Sequence, residues 1–98
     1  VTRDAVIAIL RAHEAPLRRQ GVRRAALFGS TARGEATTDS DLDILVEIDP
    51  SAKVDLYRYA GITRYITDLF TVPVDVADHA MLIEPVRRTA ERDAVYAF

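Results

Sequence analysis

The chain has 98 residues, 13 basic and 15 acidic, and no cysteine. That excludes a multidomain enzyme, a disulfide framework, a thiolate metal site and a cysteine nucleophile, and leaves one small domain over residues 1–98. A hydrophobic share of 49% is enough for a core, and a net charge of −2 argues against a general nucleic-acid binder.

No apolar run reaches the ~18–20 residues that span a bilayer. The first segment, VTRDAVIAILRAHE, is interrupted by Arg11 and Glu14 and does not read as a signal peptide. The expectation is a cytoplasmic protein with no membrane and no direct nucleic-acid partner. Domains of this size bury only about 60–70% of the unfolded surface, which leaves room for a partner chain that adds buried area.

Residues 3–13 read as an amphipathic helix with Val6, Ile9, Leu10 and His13 at helical spacing and Thr2 or Asp4 as N-cap. Pro16 breaks or kinks it, and a short helical piece runs on to Gly21, a natural residue to follow a helix end. Val22 to Phe28 reads as a strand, ended by Gly29-Ser30. A short helix opens at Ser30 and reaches Arg33 or Gly34. Residues 35–40 form a polar loop.

Asp41 to Ile48 is a second strand, and its run Ile44-Leu45-Val46 predicts burial on both faces. Pro50 ends it. Residues 53–70 form the longest predicted helix, with a stripe of Leu56, Tyr59, Ile62, Ile66 and Leu69. Pro73 to Val76 is a third, short strand. A last helix covers 84–96, opened by Glu84-Pro85. The fold class is α/β (α+β), a small mixed β-sheet of at least three strands flanked by helices.

Three pieces carry chemistry. Asp41 and Asp43 share one face of a strand, roughly 7 Å apart. Two carboxylates there repel, and a cation between them removes the conflict; hard oxygen ligands suit Mg²⁺. Asp75 is a lone charge between Val74 and Val76. If its strand pairs beside the second one, three carboxylates share a sheet face and suffice for two divalent ions. Such a pair stabilises the attacking and leaving oxygens of a displacement at phosphorus, and Asp75 is placed to accept the proton of the attacking hydroxyl. Gly29-Ser30 ends a strand in a turn that lets backbone approach a phosphate. Arg33 lies three residues on, within reach of the same group. The Gly-Lys-Ser/Thr of a P-loop is absent. Taken singly, each piece also has an ordinary reading: solvated carboxylates, an exposed edge strand, a plain turn.

Together, an apolar residue with Gly29-Ser30, ten residues, then Asp41-Leu42-Asp43-Ile44 and later Val74-Asp75-Val76 resemble the DNA polymerase beta-like nucleotidyltransferases. FGSTARGEATTDSDLDILVEID is most similar to the minimal nucleotidyltransferase group, antitoxins found beside HEPN-domain ribonuclease toxins. The resemblance implies the nucleotidyltransferase fold, with Asp41 and Asp43 as the metal-binding pair and Asp75 as the third carboxylate. It also implies Gly29 and Ser30 as the phosphate-binding turn, and matches Arg33-Gly34 to the Ala-Arg-Gly that often follows it. The implied activity is transfer of AMP from ATP, with two Mg²⁺ ions, to a tyrosine of a partner HEPN toxin in a hetero-oligomer. A rival reading is an antitoxin that acts by steric binding alone. Transfer to a small molecule ranks last, because such enzymes carry a further acceptor-binding domain.

Other residues have blander expectations. His13 reads as a half-buried helix residue, and His79 as a loop residue that could approach the site. Asp39 and Glu47 read as solvated or ion-paired groups with a possible metal-assisting role. Arg18, Arg19, Arg23 and Arg24 form a basic cluster that is either a solvated surface or a patch for RNA or an acidic partner. Tyr57, Arg58, Arg64 and Tyr65 lie off the core stripe of the long helix and are candidates for a partner surface.

Overall fold

The computed structural model describes residues 2–35 and 41–98. Helices α1 (Arg3–Ala12) and α2 (Glu14–Gln20) precede strand β1 (Val22–Phe28) and the single-turn α3 (Gly29–Ala32). Strand β2 (Leu42–Ile48), helix α4 (Leu56–Thr67) and strand β3 (Val74–Asp78) follow, then α5 (Glu84–Asp93) and the two-residue β4 (Val95–Tyr96). The sheet order is β3-β2-β1-β4, with β2–β3 parallel and the other pairs antiparallel. A mixed sheet flanked by helices is the expected class.

The alternation of β2 builds two unequal layers. Leu42, Ile44 and Val46 point to the larger core, shared with Val6, Leu10, Leu17, Ile62 and Ile66 from α1, α2 and α4. Asp43, Leu45 and Glu47 point the other way, where Leu45 packs with Ala26 and with Ala90 of α5. The Ile44-Leu45-Val46 run is therefore buried on both faces, as its apolar continuity predicts.

The ends of the helices follow their caps. The Thr2 hydroxyl accepts from the Ala5 N–H at 3.2 Å and starts α1. Gly21, at φ 110°, ends α2, and its N–H bonds the Arg18 carbonyl.

Three predicted ranges are corrected, the first being the third strand, which covers Val74–Asp78 and not Pro73 to Val76. The long helix starts at Leu56, not at residue 53, because Pro50–Ala52 forms a 3₁₀ turn and Lys53 takes a positive φ. The Asp55 carboxylate then caps α4 by accepting from the Arg58 N–H at 2.7 Å. Leu56, expected in the core stripe, is 83% exposed, and the buried residues of α4 are Ile62 and Ile66, one and a half turns or more further on. The last helix stops at Asp93, and Val95-Tyr96 pairs with Leu27 and Ala26 instead. The outer edge of β1 would otherwise present unpaired backbone groups. The Arg11 guanidinium holds the tail there by donating to the Ala97 carbonyl at 2.8 Å.

Candidate functional site

Asp43 and Asp75 are direct neighbours across the parallel β2–β3 pair. Adjacent strands lie about 4.8 Å apart, so the two carboxylates share the α5 face of the sheet. Asp41 stands two residues before Asp43, just ahead of β2, and is exposed. The expected meeting of the third strand with the second is thus realised in the right register.

The C-terminal end of β1 reaches the same place. Phe28 pairs with Asp43, and Gly29 follows at φ 76°. A side chain at Gly29 would collide with the Asp43 carboxylate, its Cβ falling 3.1 Å from Cγ. Backbone and carboxylate therefore touch where a phosphate bound by the turn would lie beside an ion bound by the carboxylate. Ser30 follows in α3 and is half-buried.

Negative charge concentrates at Asp43. Burial raises the Asp43 carboxyl above its ordinary value, and the charges of Asp75 and Asp41 raise it further. Arg33 opposes them. An all-carboxylate donor set of this kind suits a hard divalent ion such as Mg²⁺. Among the described residues, no three acidic or imidazole side chains already converge on one point. An ion would have to gather Asp41, Asp43 and Asp75 by side-chain rotation from their places at the strand ends.

Arg33 sits at the C-terminal end of α3, and its guanidinium is paired. Nε donates to Glu35 at 3.0 Å and Nη1 to Asp93 at 2.9 Å. These partners raise its pKa. Sequence reasoning missed both: Glu35 was read as loop, and Asp93 is 60 residues away in the chain. A depression of about 370 Å³ beside Gly29 is lined by Phe28, Arg33, Val86, Thr89 and Asp93.

The remaining candidates separate clearly. His13 is half-buried, bonds the Ile9 carbonyl through Nδ1 and meets Tyr65 edge-on at 5.9 Å. Tyr65 packs against the core and so leaves the partner-surface set, whereas Tyr57 is 90% exposed. His79 Nε2 pairs with Glu91 at 2.6 Å. Glu47 accepts from Arg23 and from the Tyr96 hydroxyl, four residues along β2 from Asp43. Within the basic cluster, Arg18 pairs with Glu14 and Arg24 stacks over the Tyr96 ring at 3.7 Å. Asp39 lies outside the described residues. No helix among the described residues is long and apolar enough to cross a membrane.

A mixed sheet that sets paired aspartates against a Gly-Ser turn is the frame of a nucleotidyl-transfer domain. The chain belongs to the nucleotidyltransferase domain family, which it matches over residues 10–97. It is 36% identical over 97 residues to the protein adenylyltransferase MntA of Thermococcus cleftensis, covering 98% of this chain and 96% of that one. A solved structure assigned to the minimal nucleotidyltransferases superimposes with a TM-score of 0.81 at 32% identity, over 97% of this chain and 95% of the other. A second, described as a toxin–antitoxin with AMP-PNP, shares the fold: TM-score 0.69, 18% identity, 90% of this chain and 72% of that one. The resemblance to a minimal nucleotidyltransferase, read from the motifs, is borne out.

Proposed function

We propose that this chain is a cytoplasmic protein adenylyltransferase of the antitoxin type. It transfers AMP from ATP to a tyrosine hydroxyl of a partner HEPN ribonuclease toxin and releases pyrophosphate. The observation that carries this reading is the register of Asp43 against Asp75 beside the Gly29 turn. The relative named a protein adenylyltransferase supports the choice of a protein acceptor. The structure described with AMP-PNP, although it shares only the fold, agrees with ATP as donor.

Roles follow from position. Gly29 and Ser30 bind the triphosphate, with Arg33 assisting. Asp41, Asp43 and Asp75 hold two Mg²⁺ ions, which when bound stabilise charge on the attacking and leaving oxygens. Asp75, exposed at the edge, accepts the proton of the acceptor hydroxyl. The acceptor oxygen bonds to the α-phosphorus, the bond to the bridging α–β oxygen breaks, and pyrophosphate leaves with its electron pair.

The test is the intact mass of the partner after incubation with this protein, ATP and Mg²⁺. Gain of one or more AMP units, absent with Asp41→Asn/Asp43→Asn, is expected. No gain from the wild type would overturn the reading.

The toxin would dock on the start of α4. Leu56 and Met81 are 83% and 79% exposed at an apolar groove of about 510 Å³, and Tyr57, next to Leu56 on α4, is 90% exposed. Val76, Ala77 and Asp78 line its floor, on the strand that carries Asp75. Arg58 and Arg64 lie exposed on the same helix. Tyr57→Ala/Arg64→Ala should weaken toxin binding at least about tenfold, since Tyr and Arg dominate interface energetics. Unchanged affinity in a binding titration would remove this surface from consideration. The same exposed patch supports the steric reading, in which neutralisation survives Asp41→Asn/Asp43→Asn.

A further inference from the structure

The two carboxylates on Arg33 differ in kind. Glu35 is on the loop side, and its side chain is 65% exposed. Asp93 closes α5, is 12% exposed, and stays within 3.5 Å of Arg92 Nε. A guanidinium carries five N–H donors in a rigid plane. Nε and one donor of Nη1 are engaged, and among the described residues the two donors of Nη2 and the second of Nη1 meet no acceptor. Arg33 and Asp93 together line the depression beside Gly29.

We propose that Asp93 is a positioning residue that holds Arg33 toward the nucleotide, and that Glu35 keeps the place of a phosphate oxygen. This rests on the reading of Arg33 as a triphosphate ligand. The exposed pair with Glu35 is screened by water and is readily exchanged. A triphosphate presents more charge and likewise accepts paired N–H bonds from a guanidinium, so it displaces Glu35. Asp93 is shielded and anchored in a helix, so it stays and fixes the plane of the guanidinium. This contact also ties α5 to the Gly29 turn.

The two carboxylates therefore have opposite effects on binding, although both are negative. A simple electrostatic account requires the same sign for both, because each repels phosphate. The experiment is an equilibrium titration of the full chain with ATP and Mg²⁺, with thermal unfolding of each nucleotide-free variant as a control for folding. Glu35→Gln should tighten ATP binding several-fold. Asp93→Ala should weaken it roughly tenfold, the scale of one charge-assisted hydrogen bond. Asp93→Asn, which keeps an acceptor oxygen for Nη1, should recover part of that loss. In an Arg33→Ala background, Asp93→Ala should have no further effect.

If Asp93→Ala or Asp93→Asn tightens ATP binding, or if Asp93→Ala leaves it unchanged in a folded protein, the positioning role is wrong. If Glu35→Gln weakens binding, the exchange is wrong. If Arg33→Ala alone leaves ATP affinity unchanged, it is the parent reading of Arg33 that fails.

Discussion

Asp43→Asn should abolish AMP transfer and at the same time leave the metal-free protein more stable at neutral pH than the wild type. The first half follows from position. Asp43 is the central carboxylate, flanked by Asp41 along the strand and Asp75 across it. Loss of a residue that merely supports a metal ligand costs about 10–100-fold, so loss of the central ligand should cost at least about a hundredfold. The second half follows from charge. The folded protein holds the Asp43 proton to higher pH than the unfolded chain, because burial and two like charges raise its pKa above 3.8. Between that ordinary value and the raised one, the folded state binds more protons, so stability falls as pH rises. Above the raised value the penalty is complete and constant. Asparagine carries no charge and shows no such fall. Urea midpoints across a pH series, with metal chelated, should converge at low pH and diverge above it in favour of the variant. Mg²⁺ should then stabilise the wild type and do little for the variant. A variant less stable than the wild type at pH 7 would contradict the electrostatic account.

Gly29→Ala should lower both stability and AMP transfer. The residue sits at φ 76°, and a left-handed conformation costs about 1–2 kcal/mol for a residue with a Cβ. The new methyl would also land on the Asp43 carboxylate. The turn and the ligand must then separate, so activity falls with stability. Gly34→Ala is the control. It has nearly the same φ, 74°, but among the described residues its Cβ would meet nothing within 4 Å. It should show the backbone cost and keep most of the activity. Unfolding midpoints and transfer rates for the two variants separate strain from the local collision. Equal loss of activity in both would mean that the contact between Gly29 and Asp43 has no functional weight.

Much of this was legible locally. The fold class came from alternating apolar periods, and the three aspartates and the Gly-Ser turn stood out because each violates its local context. A charge inside an apolar strand and a glycine at a strand end are contradictions that a nearby ligand resolves. The errors share one cause. Leu56 was placed in the core because helical spacing does not reveal where along a helix contact with the core begins. The last helix was run through Tyr96 because its local pattern is helical, while the open edge of β1 recruits that backbone. Tyr65 was given to a partner surface because the chain does not show that His13 lies against it.

By itself, the order of residues determined which side chains were available for metal and phosphate, and which face of each strand they occupy. Strand alternation is a local rule, dictated by backbone geometry with period two. Only the tertiary structure decided that Asp75 lies against Asp43, that Gly29 touches that carboxylate, and that Asp93 reaches Arg33 across 60 residues. Those juxtapositions depend on strand order, parallel register and the docking of α5. Burial of the whole core sets these together, and no segment of the chain encodes them alone.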